Sequence, residues 1–227
     1  MIVLLGKARA PMDANAFQEK RAAFSRVHLD IGTGDGKNVL KSAAQSPETL
    51  FIGLDAAAEN MVDSARKAAK KPEKGGRGNV LFVVAAIESP PAELLGAADE
   101  VSVLFPWGSL LAGVARAEHE TLSNIRALCR PGAPFTFVTT YSPSFEAAEI
   151  EKRGLPPLSL EFLRGEYADA LKKEGYFIDT VELLYNDYAA KFESAWAKRL
   201  AHGRRREFYR IAGTIGGDSS QTEGETT

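Results

Sequence analysis

Three glycines at alternate positions, Gly32, Gly34 and Gly36, follow directly after a short apolar run that begins at Val27. Glycine lets the backbone approach a ligand closely and adopt dihedral angles that side chains disfavour. A helical stretch, residues 37–45, follows the turn. A strand, a glycine turn and a helix in this order predict the first unit of an open α/β sheet with a ligand at the turn. The spacing lacks the third glycine of the dinucleotide fingerprint, so the turn alone leaves the ligand undecided.

Short β-rich runs alternate with longer helical stretches along the 227 residues, a pattern typical of a mostly parallel sheet covered by helices. The predicted strands are residues 27–31, 50–54, 80–84, 100–104, 133–140, 176–184 and 207–215. The predicted helices are residues 37–45, 57–71, 117–129, 145–152, 160–174 and 188–201. We therefore expect a Rossmann-like domain with a seven-stranded sheet over residues 26–217. Residues 1–25 predict an N-terminal extension made of a hairpin and a helix, and the polar residues 218–227 predict a disordered tail.

The composition argues against several classes of protein. One cysteine cannot form an internal disulfide, which fits a reducing cytoplasm. Three histidines and one cysteine do not supply a zinc site, so we expect no metal. The apolar start is too short for a signal peptide or a membrane helix, so we expect a cytoplasmic protein without a membrane partner. The net charge is −2, but two dense basic islands, residues 66–77 and 198–210, indicate a phosphate-binding face rather than two solvated helix faces.

Acidic residues mark the ends of three successive predicted strands, at the edge where an open α/β sheet binds its ligand: Asp30, Asp55 and Glu88. Asp55 is placed to accept hydrogen bonds from ribose hydroxyls, a role that nicotinamide enzymes and methyltransferases share. Asp30 separates the two classes, because a carboxylate here repels a pyrophosphate but attracts the ammonium and sulfonium groups of S-adenosylmethionine. Each carboxylate alone can be a cap or a surface group. Together they predict a class I S-adenosylmethionine-dependent methyltransferase.

The stretch Phe105-Pro106-Trp107 ends the fourth predicted strand, where methyltransferases present groups to the acceptor. Enzymes that methylate the exocyclic amine of adenine often have an Asn or Asp here, followed by Pro-Pro and an aromatic residue. This chain has an aromatic surface and no side-chain acceptor for an amine. The stretch therefore predicts a base held by stacking and methylated at a ring nitrogen.

Five stretches in combination resemble one known family: "DIGTGDGK", "FPWGSLL", "FVTTYS", "EIEKRGLPPLS" and "WAKRLAHGRRREFYRIAG". They are similar to the aminoglycoside-resistance 16S ribosomal RNA methyltransferases of the Kam and NpmA type, over roughly residues 1–215. That family modifies N1 of adenosine 1408 in the decoding site of the 30S subunit. The resemblance implies resistance to aminoglycosides such as kanamycin and apramycin, with helix 44 of the 16S rRNA as the target. We also expect a monomer.

The resemblance also implies roles for individual residues. Trp107 and Trp196 sandwich an adenine flipped out of the RNA helix. The residues implied to hold S-adenosylmethionine are Asp30, Gly32, Gly34, Asp55, Ala86, Ile87, Glu88, Leu104, Ser109 and Ser194. The residues implied to contact RNA phosphates are Lys67, Lys70, Lys71, Arg153, Arg199, Arg204 and Arg205.

Two other interpretations remain open at the level of sequence. One is a methyltransferase that shares the cofactor half but acts on a transfer RNA or a small molecule. The other is a non-catalytic ribosome-binding protein on a Rossmann-like scaffold. Cofactor binding separates the second from any enzyme, and mapping the methylated nucleotide separates the enzymes from one another.

Overall fold

The computed structural model describes residues 1–202 and 204–216, so the predicted tail at residues 218–227 lies outside the described residues. The strands are β1 (Ile2–Leu5), β2 (Ala8–Pro11), β3 (Arg26–Ile31), β4 (Thr49–Asp55), β5 (Val80–Val84), β6 (Glu100–Leu104), β7 (Pro134–Thr139), β8 (Tyr176–Leu184) and β9 (Phe208–Ile215). The helices are α1 (Ala14–Ala22), α2 (Lys37–Gln45), α3 (Ala58–Ala68), α4 (Gly108–Ala115), α5 (His119–Leu128), α6 (Pro143–Arg153), α7 (Leu160–Arg164), α8 (Glu166–Lys173), α9 (Asn186–Ala189) and α10 (Ala195–Ala201).

All the strands named above form one mixed sheet in the order β2-β1-β5-β4-β3-β6-β7-β9-β8. Strands β5, β4, β3, β6 and β7 are parallel, whereas β9 runs antiparallel to both β7 and β8. The chain adds β4 and β5 on one side of β3 and then β6 and β7 on the other side. The strand order therefore reverses between β3 and β6, and their carboxyl ends open a crevice. The seven strands from β3 to β9 confirm the predicted Rossmann-like sheet.

The N-terminal hairpin extends this sheet at one edge. Strand β1 pairs with β2 across a turn at Gly6 and lies antiparallel to β5, with Val3 opposite Val83. Helix α1 begins at a cap in which the Asp13 carboxylate accepts a hydrogen bond from the Ala16 N–H. Phe17 of α1 is fully buried in the same core cluster as β3 and β6. The extension thus shares its hydrophobic core with the rest of the fold.

Helices cover both faces of the central strands. On one face α2 and α3 bury Val39 and Met61 against β4 and β5, and on the other α5 and α8 bury Leu122 and Leu171. Strand β4 is accordingly buried on both sides over residues 49–54. This burial explains why its sequence is a continuous apolar run instead of an alternating one.

Three helical regions differ from the prediction. Helix α4 was not expected because its sequence is almost wholly apolar, and residues 111–115 are all buried, so it shows no amphipathic period. Residues 160–174 form two helices separated at Gly165, and residues 188–201 contain α10 and the end of α9.

Within the described ranges, no helix has both the length and the hydropathy to cross a membrane.

Candidate active site

The loop after β3 brings its backbone to the crevice because two of its glycines leave no room for a side chain. Gly32 has a φ of +70°, and a Cβ there lies 2.5 Å from Cδ2 of Leu110. Gly36 has a φ of +67°, and a Cβ there lies 2.4 Å from the Phe82 ring. The Gly32 N–H donates to the Leu54 carbonyl at 2.8 Å, which fixes the loop against β4. The loop is thus held tightly, with its backbone open to a ligand.

Asp55 at the end of β4 braces the same loop. Its Oδ2 accepts a hydrogen bond from the Gly34 N–H at 2.9 Å, and its Oδ1 accepts one from the Ala57 N–H at 2.9 Å. The side chain is half-buried and lines the crevice. Each carboxylate oxygen has two acceptor sites, so Asp55 retains capacity for the hydroxyl groups of a ligand.

A cleft of about 730 Å³ opens at the carboxyl ends of β3, β4, β5 and β6. This volume lies within the range of small-molecule sites in proteins. Nine of the ten predicted cofactor residues line the cleft: Gly32, Gly34, Asp55, Ala86, Ile87, Glu88, Leu104, Ser109 and Ser194. The structure therefore brings together residues that the sequence spreads over most of the chain.

The wall after β5 combines a free carboxylate with an apolar surface. The exposed Glu88 side chain makes no hydrogen bond or ion pair with the other residues that the structure describes. Beside it Ile87 is buried, and its carbonyl accepts a hydrogen bond from the Asn124 side chain at 3.0 Å. The Glu88 carboxylate is therefore available to a ligand's amino group.

Two serines occupy the first turns of helices at the cleft. Ser109 is exposed near the start of α4. Ser194 caps α10, where its Oγ accepts a hydrogen bond from the Ala197 N–H at 3.1 Å. The cap uses only an acceptor site of Ser194, so its hydroxyl proton remains free to be donated to a ligand.

Asp30 is the predicted cofactor residue that does not line the cleft. Its side chain is buried in β3, behind the glycine loop, and its Oδ1 accepts a hydrogen bond from the Ser102 hydroxyl at 2.7 Å. Burial raises the pKa of Asp30, and the Ser102 hydrogen bond opposes that rise only in part. From this buried position, a direct bond between Asp30 and a ligand's ammonium group requires the Asp30 side chain to move.

The buried Asp30 predicts a pH-dependent effect on stability. Since its folded-state pKa is raised, the stability that protonated Asp30 contributes is full below the unfolded pKa and is lost as the pH rises through the folded pKa. Asp30→Asn removes this titration, so we expect the variant to melt at a higher temperature than the parent at pH 7. The difference should shrink as the pH falls toward 3.8, the usual pKa of the group. Melting curves across this range check it, and a difference that does not change with pH contradicts it.

Trp107 leaves the core because the chain turns sharply before it. Phe105 has a φ of +52°, which bulky residues rarely adopt. Edge-to-face contacts with Phe192 and Phe208, at ring-centre distances of 5.0 and 5.8 Å, hold Phe105 in this conformation. Trp107 then occupies the cap position of α4 with 47% of its surface exposed.

Trp107 meets Trp196 of α10 at the mouth of the cleft. The ring centres lie 5.5 Å apart and the ring planes are inclined by 65°. A base stacked between two parallel rings needs ring centres about 7 Å apart, twice the ~3.5 Å contact distance. The two rings therefore touch each other here, and a sandwiched base requires them to separate and to become parallel.

A second cleft, of about 630 Å³, is lined by three arginines against Glu146 and Glu149, and we call it the basic cleft because its net charge is positive. Both rings line it, together with Arg199, Arg204 and Arg206. The Arg199 guanidinium lies 5.7 Å from the centre of the Trp196 ring, within cation–π range. The tryptophan pair thus stands between the cofactor cleft and a surface suited to phosphates.

The other predicted RNA contacts lie at different distances from the tryptophans. Arg153 forms an ion pair with Glu149 and lies beside Gly108, and Arg205 stacks on the Tyr185 ring at 4.0 Å. Lys67, Lys70 and Lys71 are exposed at the end of α3. Because α3 runs back from the carboxyl end of β4, its 11 residues carry these lysines about 16 Å from the cleft edge of the sheet.

Sequence reasoning missed several residues of the two clefts. Arg206 lines the basic cleft, forms a 2.7 Å ion pair with Glu146 and lies over the Phe145 ring at 3.9 Å. Its place in the arginine run 204–206, beside two residues predicted to contact RNA, is the signal that points to it. Asp35 and Asn60 line the cofactor cleft, and only Asp35, inside the glycine turn, stood in a motif already singled out.

Relatives of known name match the chain over nearly its full length. The family model described as "NpmA: 16S rRNA (adenine(1408)-N(1))-methyltransferase" matches residues 2–215. A 16S rRNA (adenine(1408)-N(1))-methyltransferase of Escherichia coli is 47% identical over 216 residues, which cover 95% of this chain and 99% of that protein. One of the same name from Streptoalloteichus tenebrarius is 35% identical, covering 93% of this chain and 98% of that protein.

Solved structures of 16S rRNA methyltransferases have folds similar to that of this chain. The 16S rRNA methyltransferase KamB has a TM-score of 0.88 and 33% identity, covering 96% of this chain and 100% of that chain. A tryptophan-to-alanine mutant of the 16S rRNA (adenine(1408)-N(1))-methyltransferase from Catenulisporales acidiphilia, with cosubstrate SAM, has a TM-score of 0.86 and 35% identity, covering 96% of this chain and 98% of that chain. This chain therefore belongs to the NpmA family of 16S rRNA (adenine(1408)-N(1))-methyltransferases.

Proposed function

We propose that this enzyme transfers a methyl group from S-adenosylmethionine to N1 of adenosine 1408 in the 16S rRNA of the 30S subunit. The observation that carries the proposal is the position of Trp107 and Trp196 between the cofactor cleft and the basic cleft. A base that leaves an RNA bound on the basic side meets the two indoles before it reaches the cofactor. In a cell, we expect the modification to give resistance to aminoglycosides such as kanamycin and apramycin.

The residues of the cofactor cleft fit S-adenosylmethionine, which supplies a methyl group on a positively charged sulfur when bound. Asp55 can accept hydrogen bonds from the ribose hydroxyls at its remaining acceptor sites. Glu88 can accept a hydrogen bond from the amino group of the adenine ring, and Ile87 and Leu104 can pack against that ring as an apolar surface. A cation bound in the cleft would favour the charged form of Asp30 and so oppose the effect of its burial.

The tryptophan pair suits a base that must be extracted from a helix. N1 lies on the Watson–Crick edge of adenine, so the base has to leave its stack at a cost of a few kcal/mol. Stacking on an aromatic side chain contributes about 1–3 kcal/mol per base. Trp107 and Trp196 together can offset much of the cost of flipping, once the rings part from their present 5.5 Å separation.

The reaction needs no general base from the protein. Neutral adenine carries a lone pair on N1, so no proton has to be removed before the methyl group is transferred. We therefore assign no carboxylate of the cleft to proton transfer. The contribution of the chain is to orient N1 and exclude water, and positioning of this kind is worth effective molarities of about 10⁵–10⁸ M.

The basic residues suit a substrate with a broad folded surface. Arg199 and Arg204 line the basic cleft, whereas Lys67, Lys70 and Lys71 lie at the far end of α3. A single nucleotide or small molecule cannot span both groups, but a ribosomal subunit can. We propose that they contact phosphates in and around helix 44. One chain supplies both clefts, so a monomer acting on ribosomes in the cytoplasm suffices.

Charge reversal of Arg204 and Arg205 should reduce both the affinity for 30S subunits and its salt dependence. Each phosphate contact contributes about one unit to the slope of log K against log[salt]. We expect the double variant, Arg204→Glu with Arg205→Glu, to lower that slope by about 2. The matched control reverses Lys172 and Lys173, which are exposed on α8 beside the outer strand β8. Binding titrations at several salt concentrations check it, and equal slopes for both double variants contradict a phosphate-binding role.

Transfer of a radiolabelled methyl group tests the substrate class. We expect label from S-adenosylmethionine to enter the 16S rRNA of intact 30S subunits, and to enter free transfer RNA or small molecules only at background. Label in transfer RNA alone supports the alternative methyltransferase. Tight 30S binding without any transfer of label supports the non-catalytic interpretation.

A further inference from the structure

Asp35 of the glycine loop makes a long-range contact that the cofactor site does not explain. Its Oδ2 accepts a hydrogen bond from the Ala195 N–H at 2.9 Å. The Lys37 side chain lies 3.0 Å from the same oxygen, and the Lys37 N–H donates to Oδ1 at 3.1 Å. The Asp35 side chain is 20% exposed. A largely buried carboxylate thus joins the loop of β3 to the first residue of α10.

The contact acts at the residue next to the second tryptophan. Ala195 immediately precedes Trp196, and α10 otherwise packs through Ala197 and Leu200 on the core around Phe105. A parallel link supports the preceding segment, since the Lys41 side chain of α2 donates to the Lys191 carbonyl at 2.7 Å. Hydrogen bonds from the glycine loop and from α2 therefore fix the start of α10 and the segment before it.

The position of Asp35 is itself fixed by the cofactor loop. The Gly34 N–H is bonded to Asp55, and the Asp35 carbonyl accepts a hydrogen bond from the Ser64 hydroxyl at 2.5 Å. A ligand that binds against Gly32, Gly34 and Asp55 therefore also restricts the position of the Asp35 carboxylate, which is bonded to Ala195. The Asp35 side chain thus connects the loop that approaches the cofactor to the residue that precedes Trp196.

We propose that Asp35 is a positioning residue that holds Trp196 over the cleft and couples cofactor binding to the geometry of the tryptophan pair. The inference rests on the proposed function for its effect on methylation, but its structural part can be tested without RNA. A hydrogen bond to a charged group is worth about a tenfold to hundredfold change in an equilibrium. We expect Asp35→Ala to lower kcat/KM for 30S subunits by about this factor, and to lower S-adenosylmethionine affinity by no more than the same factor, because a coupling acts equally in both directions.

The two tryptophans provide a direct readout, because the chain has only these two. Indoles 5.5 Å apart give a coupled circular-dichroism signal, which Trp196→Phe should abolish. We expect Asp35→Ala to weaken this signal and to remove its response to S-adenosylmethionine. Asp35→Asn keeps an oxygen acceptor for the Ala195 N–H and should restore much of the signal.

A reciprocal variant removes the donor and leaves Asp35 intact. Ala195 is the first residue of α10 and Ser194 before it is extended, so Ala195→Pro deletes the N–H at a position where proline is tolerated. We expect its effect to match that of Asp35→Ala, and the double variant to be no worse than either. An unchanged signal in Ala195→Pro, or additive losses in the double variant, overturns the proposal. A parent protein with the signal but no methylation of 30S subunits overturns the proposed function instead.

Discussion

Trp107→Ala and Trp196→Ala are each expected to lower kcat/KM for methylation of 30S subunits by about 10- to 100-fold, because each removes one stacking surface worth about 1–3 kcal/mol per base. Affinity for S-adenosylmethionine should change little, since the side chains that we assign to its ribose and its adenine ring are untouched. Kinetics with purified subunits and calorimetry with the cofactor separate the two effects.

Two controls distinguish stacking from other consequences of removing an exposed aromatic residue. Trp107→Phe keeps an aromatic face and should retain most of the activity. Phe177→Ala removes a similarly exposed ring, 46% against 47% for Trp107, from the outer strand β8. If Trp107→Ala and Trp196→Ala both behave like Phe177→Ala, the tryptophans do not hold the base.

Asp55→Ala is expected to reduce S-adenosylmethionine affinity by more than about 100-fold, because hydrogen bonds to a charged group contribute about 1.5–3 kcal/mol each. The carboxylate is proposed to accept hydrogen bonds from the ribose hydroxyls, and it also accepts hydrogen bonds from the Gly34 and Ala57 N–H groups. Two losses therefore combine: the ligand contacts, and the bracing of the loop that approaches the ligand. Calorimetric titration with the cofactor measures the affinity.

Stability has to be followed alongside this affinity. We expect Asp55→Ala to lower the melting temperature as well, since two backbone donors lose their acceptor. Asp55→Asn keeps one oxygen acceptor and should fall between the parent and the alanine variant. Asp63→Ala, at an exposed carboxylate of α3 paired with Arg66, is the matched control. Unchanged cofactor affinity in Asp55→Ala excludes the proposed ribose contact.

Local patterns in the sequence were sufficient to predict the sheet, the glycine loop and the acids at the strand ends, whereas Ala86, Ile87, Leu104, Ser109 and Ser194 were implied only by the family resemblance. The glycine turn and the acids at strand ends carry their own physical reasons, and all parallel strands bring their carboxyl ends to one edge. The ten residues implied for the cofactor therefore fall in one region, although Asp30 proves to lie behind it. Burial depth depends on the packing of Ser102 and the glycine loop, which a local pattern does not contain.

Features that depend on distant segments were not predictable. Helix α4 lacks an amphipathic pattern because it is buried on most sides, a property set by its neighbours. The contact between the two tryptophan rings and the bond from Ala195 to Asp35 join segments far apart in the chain. The resemblance to known enzymes implied the first of these only as a sandwich around a base, and the closed arrangement of the free rings became visible only in the structure.

Primer extension on 16S rRNA extracted from treated 30S subunits is the most direct test of methylation at N1, because a methyl group on N1 blocks Watson–Crick pairing and stops reverse transcriptase. We expect a strong stop at adenosine 1408 with the parent enzyme and S-adenosylmethionine. The stop should be absent without the cofactor and faint with Trp107→Ala. A stop at another nucleotide, or no stop although label is incorporated, contradicts methylation of N1 at this adenosine.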